Sequence, residues 1–197
     1  MSESSPESAL ALVAAELLRR GQPFALVGGL AVSIRGEVRF TRDVDLAIVV
    51  ASDAQTEALV RDLAPAGYSV LALVEQEERH RLATVRLRSP NGIVIDLLAA
   101  SAGIEREVVE RAGPIAIEGA GTIPVARAEE LLALKILSMT DARPNDRSDA
   151  LSLLAVNPEL DLHVVRDLLA RITERGFHRN QDLAAKLAGL LALRSLL

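Results

Sequence analysis

Leu10, Leu12, Val13, Leu17 and Leu18 recur at near-helical spacing and predict a helix over 7–20, stopped by Gly21 and Pro23. Residues 24–27 form a short, unbroken apolar run that reads as a buried strand. Gly28-Gly29 ends it, 30–35 carries the first turns of a helix, and Gly36 breaks that helix. Residues 44–50 are almost wholly aliphatic, with one polar position at Asp45, and predict a second strand. A helix follows from Asp53 to about Ala64, closed by Pro65 and Gly67. Residues 68–74, 82–88 and 93–98 read as three further strands, the last two joined by the turn Ser89-Pro90-Asn91-Gly92. Alternation over 82–88 gives that strand one wet face, and 75–81 reads as a solvated hairpin tip.

The pattern changes after about residue 125. A helix is predicted over 129–140, then a polar, turn-prone stretch over 141–146, then helices near 146–156, 159–175 and 181–196. The fold class is therefore α/β (α+β), with an α/β core over 1–125 and a helical C-terminal domain over 126–197. The Ala/Leu-rich tail, 183–197, has either the core or a second copy as its packing partner.

Composition narrows the class. At 197 residues, a chain buries roughly 70% of its unfolded surface and needs no staples. The absence of Cys excludes a disulfide scaffold, a thiolate zinc site and a Cys nucleophile. Arg and Glu interrupt every apolar run before the ~18 residues of a membrane span, and the polar, acidic residues 1–8 do not read as a signal peptide. The expectation is a soluble, cytoplasmic protein. A net charge of −5 argues against a general nucleic-acid coat, although a local basic cleft is compatible with it, since only Lys135 and Lys186 among the cations are not Arg.

The chemistry concentrates in two blocks. Gly28-Gly29 after a strand and before a helix exposes backbone N–H groups at a positive helix terminus, a place suited to phosphate. Asp43 and Asp45, two apart where a strand begins, project from one face, and paired carboxylates there suit Mg²⁺. Asp96 lies within an aliphatic strand, where a lone carboxylate needs a partner or a metal. Each has a plainer explanation: a tight turn for the glycines, a cap or solvated edge for Asp-x-Asp, an edge position or salt bridge for Asp96. The ordered combination is more specific than its parts. The histidines, His80, His163 and His178, are scattered and read as surface or capping residues.

The ordered set resembles the nucleotidyltransferase superfamily that shares the DNA polymerase β palm. Within it, the chain resembles the AbiEii and MenT-type toxin–antitoxin and abortive-infection group. The family pattern of Gly-Gly, Arg-x-Thr-x-Asp-x-Asp, a third Asp, then Lys-x-x-Ala/Ser and Arg-x-x-Asp-x-x-Asp is met by Gly28-Gly29, Arg39 to Asp45, Asp96, Lys135 to Ser138, and Arg143 to Asp149. The resemblance spans about 24–155; residues 156–197 carry none of its motifs.

The resemblance implies a mixed sheet flanked by helices, with the active cleft facing a helical C-terminal domain. It implies that Gly28 and Gly29 cradle a triphosphate, that Asp43 and Asp45 bind two Mg²⁺, and that Asp96 binds one of them and helps activate the attacking hydroxyl. It makes Lys135 a phosphate ligand, against the alternative of a lysine snorkelling from an amphipathic helix. It puts one of Asp146 and Asp149, above all Asp149, at the active site, where it orients Lys135 or the acceptor. Their alternatives are an N-cap for Asp146 and pairing of Asp149 with Arg143 or Arg147. Arg39 is either a phosphate ligand or a partner of Asp43, and Thr41 shapes the loop before the strand.

The implied reaction is Mg²⁺-dependent transfer of a nucleoside monophosphate from an NTP to a hydroxyl. The implied setting is a toxin modifying RNA, notably the tRNA 3′ end, with a cognate antitoxin as partner. An antibiotic nucleotidyltransferase acting on aminoglycosides or lincosamides uses the same motifs, and negative charge suits a cationic aminoglycoside. A catalytically silent nucleotide-binding partner protein is the third class.

Overall fold

The computed structural model describes residues 4–38 and 40–194. Helix α1 (Pro6–Arg19) is capped by Ser5, whose hydroxyl accepts the Ser8 amide at 3.1 Å. Pro6 takes the first helical position, where a missing N–H costs nothing, so the helix starts one residue before the apolar pattern.

Among the described residues seven strands form one mixed sheet: β1 (Phe24–Val27), β2 (Val44–Ile48), β3 (Ser69–Gln76), β4 (Arg81–Arg88), β5 (Val94–Leu98), β6 (Gly113–Ile117) and β7 (Gly121–Val125). Their spatial order is β3-β4-β5-β2-β1-β7-β6. β2 runs antiparallel to β1 and parallel to β5, and β4 is antiparallel to β5. The helices are α2 (Gly28–Arg35), α3 (Asp53–Leu63), α4 (Glu105–Arg111), α5 (Ala128–Ser138), α6 (Pro144–Val156), α7 (Leu162–Glu174) and α8 (Leu183–Arg194). None of the described helices is long and apolar enough to cross a membrane.

The mixed α/β architecture is the one expected, and most predicted elements fall within two or three residues of their observed ends. The sequence pattern predicts no element over 99–125, and the structure forms α4 and the hairpin β6–β7 there. That hairpin docks weakly, pairing with β1 only through Leu26 and Val125, so no long apolar run announces it. β3 continues to Gln76 and β4 starts at Arg81, which shortens the solvated tip to 77–80.

One hydrophobic cluster runs from α1 through β1, β2 and β5 into the C-terminal helices. α5 is its hub, packing on α2, α6, α7 and α8, and Leu131, Leu132, Ile136 and Leu137 are all buried. A helix buried around most of its circumference loses the one-sided pattern of a surface helix. α8 packs on α5, α6 and α7, so the apolar tail joins the core, as far as Arg194. Lys186 on α8 donates to the carbonyls of Ile136 and Met139, satisfying the open end of α5.

Candidate active site

Sheet register builds the site. Asp45 on β2 lies opposite Val27 of β1 and opposite Asp96 of β5, and Asp96 lies opposite Arg86 of β4. Directly opposed residues share a face, with Cβ atoms roughly 4.5–5.5 Å apart. Two carboxylates and a guanidinium therefore form one row across the middle of the sheet. They line a cleft of about 350 Å³ whose far wall carries Lys135 and Ser138 from α5, with Arg143 and Arg179 beyond.

Gly28 is where β1 turns directly into α2. Its φ is +65°, and a Cβ there would fall 1.9 Å from the Oδ2 of Asp45. Only glycine combines that left-handed backbone with so close an approach. The Gly29 N–H donates to Asp45. The glycine pair thus seats a carboxylate at the head of α2, whose preceding residue, Val27, offers no side-chain cap. Gly28→Ala is expected to destabilise the protein by about 2–4 kcal/mol, from backbone strain plus overlap. The melting temperature should fall by roughly 5–10 °C, and Asp45 should be displaced. A variant melting like the wild type would show that the contact yields freely.

Asp45 is partly buried, and its pKa is pushed up to about 6, first by desolvation and then by the Asp96 carboxylate; Lys135 and the Gly29 amide act the other way. Asp96 is buried and held by both of its oxygens, Oδ1 to Arg86 Nε at 2.8 Å and Oδ2 to Nη2 at 2.6 Å. This fork-on-fork pairing raises the Arg86 pKa above its usual value. Asp43 stands two residues before Asp45, where Thr41 Oγ1 donates to its carbonyl at 3.4 Å. Thr41 thus lies at the entry into β2. Arg39 lies outside the described residues.

Lys135 is buried on α5. Its Nζ lies 2.8 Å from Asp146 Oδ1 and 2.8 Å from Asp149 Oδ2, both on α6. The i, i+3 spacing brings both carboxylates to one helical face. This corrects three alternatives. Lys135 does not snorkel to solvent. Asp146 is not the N-cap, because α6 starts at Pro144 behind Arg143. Arg143 reaches Asp146, at 3.0 Å, while the ion pair of Asp149 is with Lys135.

Asp43, Asp45 and Asp96 do not form a three-carboxylate cluster: among the described residues no group of three or more Asp, Glu, His or Cys side chains is placed to hold a metal. Asp96 is neutralised by a guanidinium instead. Arg86 was the residue that sequence reasoning missed here. The alternation in β4 placed it on the wet face with Thr84 and Arg88, but a cross-strand partner has no local signature.

A family model described as nucleotidyl transferase AbiEii toxin, type IV TA system, matches residues 11–185. The chain belongs to the AbiEii nucleotidyltransferase toxin family. As an AbiEii-family chain it is a nucleotidyltransferase. No curated protein sequence matches it. Among solved structures, it is similar to the antibiotic-resistance factor ANT(2'')-Ia in solution, at 17% identity and a TM-score of 0.56, over 85% of this chain and 91% of that one. It is also similar to an antigenic nucleotidyltransferase-like protein from Paracoccidioides brasiliensis, at 22% identity and 0.51, over 95% and 94%. The lincosamide antibiotic adenylyltransferase LnuA matches at 14% identity and 0.51, over 76% and 98%. These likenesses place the AbiEii-family chain in the polymerase-β-like nucleotidyltransferase fold.

Proposed function

We propose that the protein transfers a nucleoside monophosphate from an NTP to a hydroxyl of RNA, the tRNA 3′ end in particular, as the toxin of a cytoplasmic toxin–antitoxin pair. The observation that carries this reading is the row Asp45–Asp96 beside the Gly28–Gly29 turn, with Lys135 across the cleft. Gly28 and Gly29 receive the triphosphate at the start of α2, and the Lys135 ammonium balances phosphate charge. Asp146 and Asp149 hold that ammonium in place. The cleft is the seam between an α/β unit, 1–125, and a helical unit, 126–197.

The donor set fits Mg²⁺. Asp43 and Asp45 offer hard oxygen ligands, and the raised pKa of Asp45 marks a carboxylate short of positive charge. Asp43 and Asp45 would hold Mg²⁺, which would supply positive charge against the phosphates and the leaving pyrophosphate. The acceptor oxygen forms a bond to the α-phosphorus while the bond to pyrophosphate breaks, and Asp96 takes the hydroxyl proton. Each Asp96 oxygen keeps a second lone pair while it accepts from Arg86, so the guanidinium holds the carboxylate in place and leaves it open to the hydroxyl proton.

The test is incubation with each α-labelled NTP, Mg²⁺ and total RNA, beside Asp43→Ala. Label on tRNA that the variant fails to transfer is the expected result. Transfer to an aminoglycoside or lincosamide, with none to RNA, would overturn the acceptor and leave the reaction. Binding of Mg²⁺-NTP with no transfer to any acceptor would point to the silent nucleotide-binding protein.

A further inference from the structure

The far wall of the cleft carries two arginines on segments distant in sequence. Arg143 precedes α6, and Arg179 sits in the loop between α7 and α8; both line the same cleft as Asp45 and Lys135. Arg143 spends its Nε on Asp146 and leaves 60% of its side chain exposed. Arg179 donates from Nη2 to the carbonyl of Ser101 at 3.1 Å and to its hydroxyl at 3.4 Å. Both of these acceptors are neutral, and among the described residues Arg179 makes no ion pair. Crowding by the surrounding protein and the positive charge of Arg143 together lower its pKa.

The carboxylates of Glu105, Asp146 and Glu78 offset the charge of Arg179 only from a distance, with no ion pair among the described residues, so two guanidinium groups lining one cleft still favour an anion there. The chain nevertheless holds them there firmly. Arg179 and Asn180 both have φ of +55°, a left-handed conformation that side chains with a Cβ resist. Asn180 Nδ2 is tied to Glu78 Oε1 at 2.9 Å. Phe177 packs against Gly103, where a Cβ would lie 2.4 Å from the ring. The loop is thus fastened both to the β3–β4 hairpin and to the segment before α4, and it presents Arg179 to the cleft in a set position.

We propose that Arg143 and Arg179 form an anion subsite that grips phosphate, supplied either by the donor triphosphate or by the phosphodiester backbone of a nucleic-acid acceptor. The inference deepens the reading above and rests on it only for the ligand class. It assigns a role to residues beyond 156, and it selects against a cationic acceptor such as an aminoglycoside, which two guanidinium groups at this wall would repel.

Binding measured without turnover tests it, so a failure of the transfer reaction and a failure of this subsite are separate results. The full chain, Arg143→Gln, Arg179→Gln and Arg179→Lys are titrated with inorganic tripolyphosphate by calorimetry. The same proteins are titrated with a short fluorescent single-stranded RNA by anisotropy, at salt from about 50 to 200 mM. Each Gln variant is expected to weaken one probe by on the order of 10-fold, and Arg179→Lys should recover most of the loss. Weakened tripolyphosphate binding assigns the subsite to the donor. Weakened RNA binding, with a salt slope lower by about one per arginine, assigns it to the acceptor. The subsite is overturned if the wild type binds neither probe, or if folded variants bind both probes as the wild type does. Should Arg179→Gln melt early, Arg143→Gln decides alone, since it lies outside the left-handed loop.

Discussion

Lys135→Met is expected to destabilise the protein by about 3–5 kcal/mol, the range found when one partner of a buried ion pair is removed. The ammonium is the shared partner of two carboxylates whose side chains are only 5% and 3% exposed. With Met in its place, Asp149 loses this cation, and among the described residues Asp146 keeps an ion pair only with the more exposed Arg143. The melting temperature should drop by roughly 10 °C or more for a chain of this length. The same deletion removes the positive charge that favours ionised Asp45 across the cleft, so nucleotidyl transfer should fall with it. Adding Asp146→Asn and Asp149→Asn to Lys135→Met should recover much of the lost stability without recovering activity. Thermal melts of the single and triple variants check this. A loss under about 1 kcal/mol, or a triple variant no better than the single one, would mean that the buried triad is not the source of the stability.

Asp45→Asn is expected to have opposite effects on activity and stability. The folded protein raises the pKa of Asp45 from 3.8 to about 6, so the ionised carboxylate is a burden on the folded state. The sign follows from linkage: the burden is absent below the unfolded pKa, grows as pH rises from about 4 to 6, and is complete above that. Asn keeps the acceptor for the Gly29 amide and carries no charge. At pH 8 without divalent cations the variant should therefore be more stable by about 2–3 kcal/mol, and near pH 4 by little. Transfer should fall by at least about 10²–10³-fold, the cost of removing one electrostatic contact to a developing charge. Mg²⁺ should raise the melting temperature of the wild type above pH 6 and leave Asp45→Asn unmoved. Melts across pH, with and without Mg²⁺, decide it. A variant less stable than the wild type at pH 8 would contradict the electrostatic account. Such a trade, stability given up where chemistry is done, is common at functional sites.

Much of the site was legible because its signals are local. Gly28-Gly29 stands out between an apolar run and a helix, and Gly28 has a φ of +65°, a conformation that favours glycine. Asp-x-Asp at a strand entrance and a lone Asp in an aliphatic strand are anomalies visible in a few residues. Arg86 and Arg179 were not legible. In one sequence of 20 arginines, a guanidinium that pairs with a carboxylate on the next strand looks like any other polar position. Arg179 reaches the cleft only because Phe177, Asn180 and Ser101, from three separate contacts, bring its loop there. The β6–β7 hairpin escaped for a different reason: its strands are five residues long and each carries a proline, Pro114 and Pro124, which argues against a strand in the sequence.

The sequence by itself determined the order of strands and helices outside 99–125, the glycine turn and the positions of the three aspartates, because periodicity, turn chemistry and an out-of-place charge act over a few residues. The tertiary structure alone decided that Asp45 faces Asp96 across β2 and β5, that Arg86 takes both oxygens of Asp96, and that Lys135 lies between Asp146 and Asp149. Those pairings depend on sheet register and on how α5 docks against α6. Both are set by burial of the shared core, which fixes side-chain partners without leaving a mark in the local pattern.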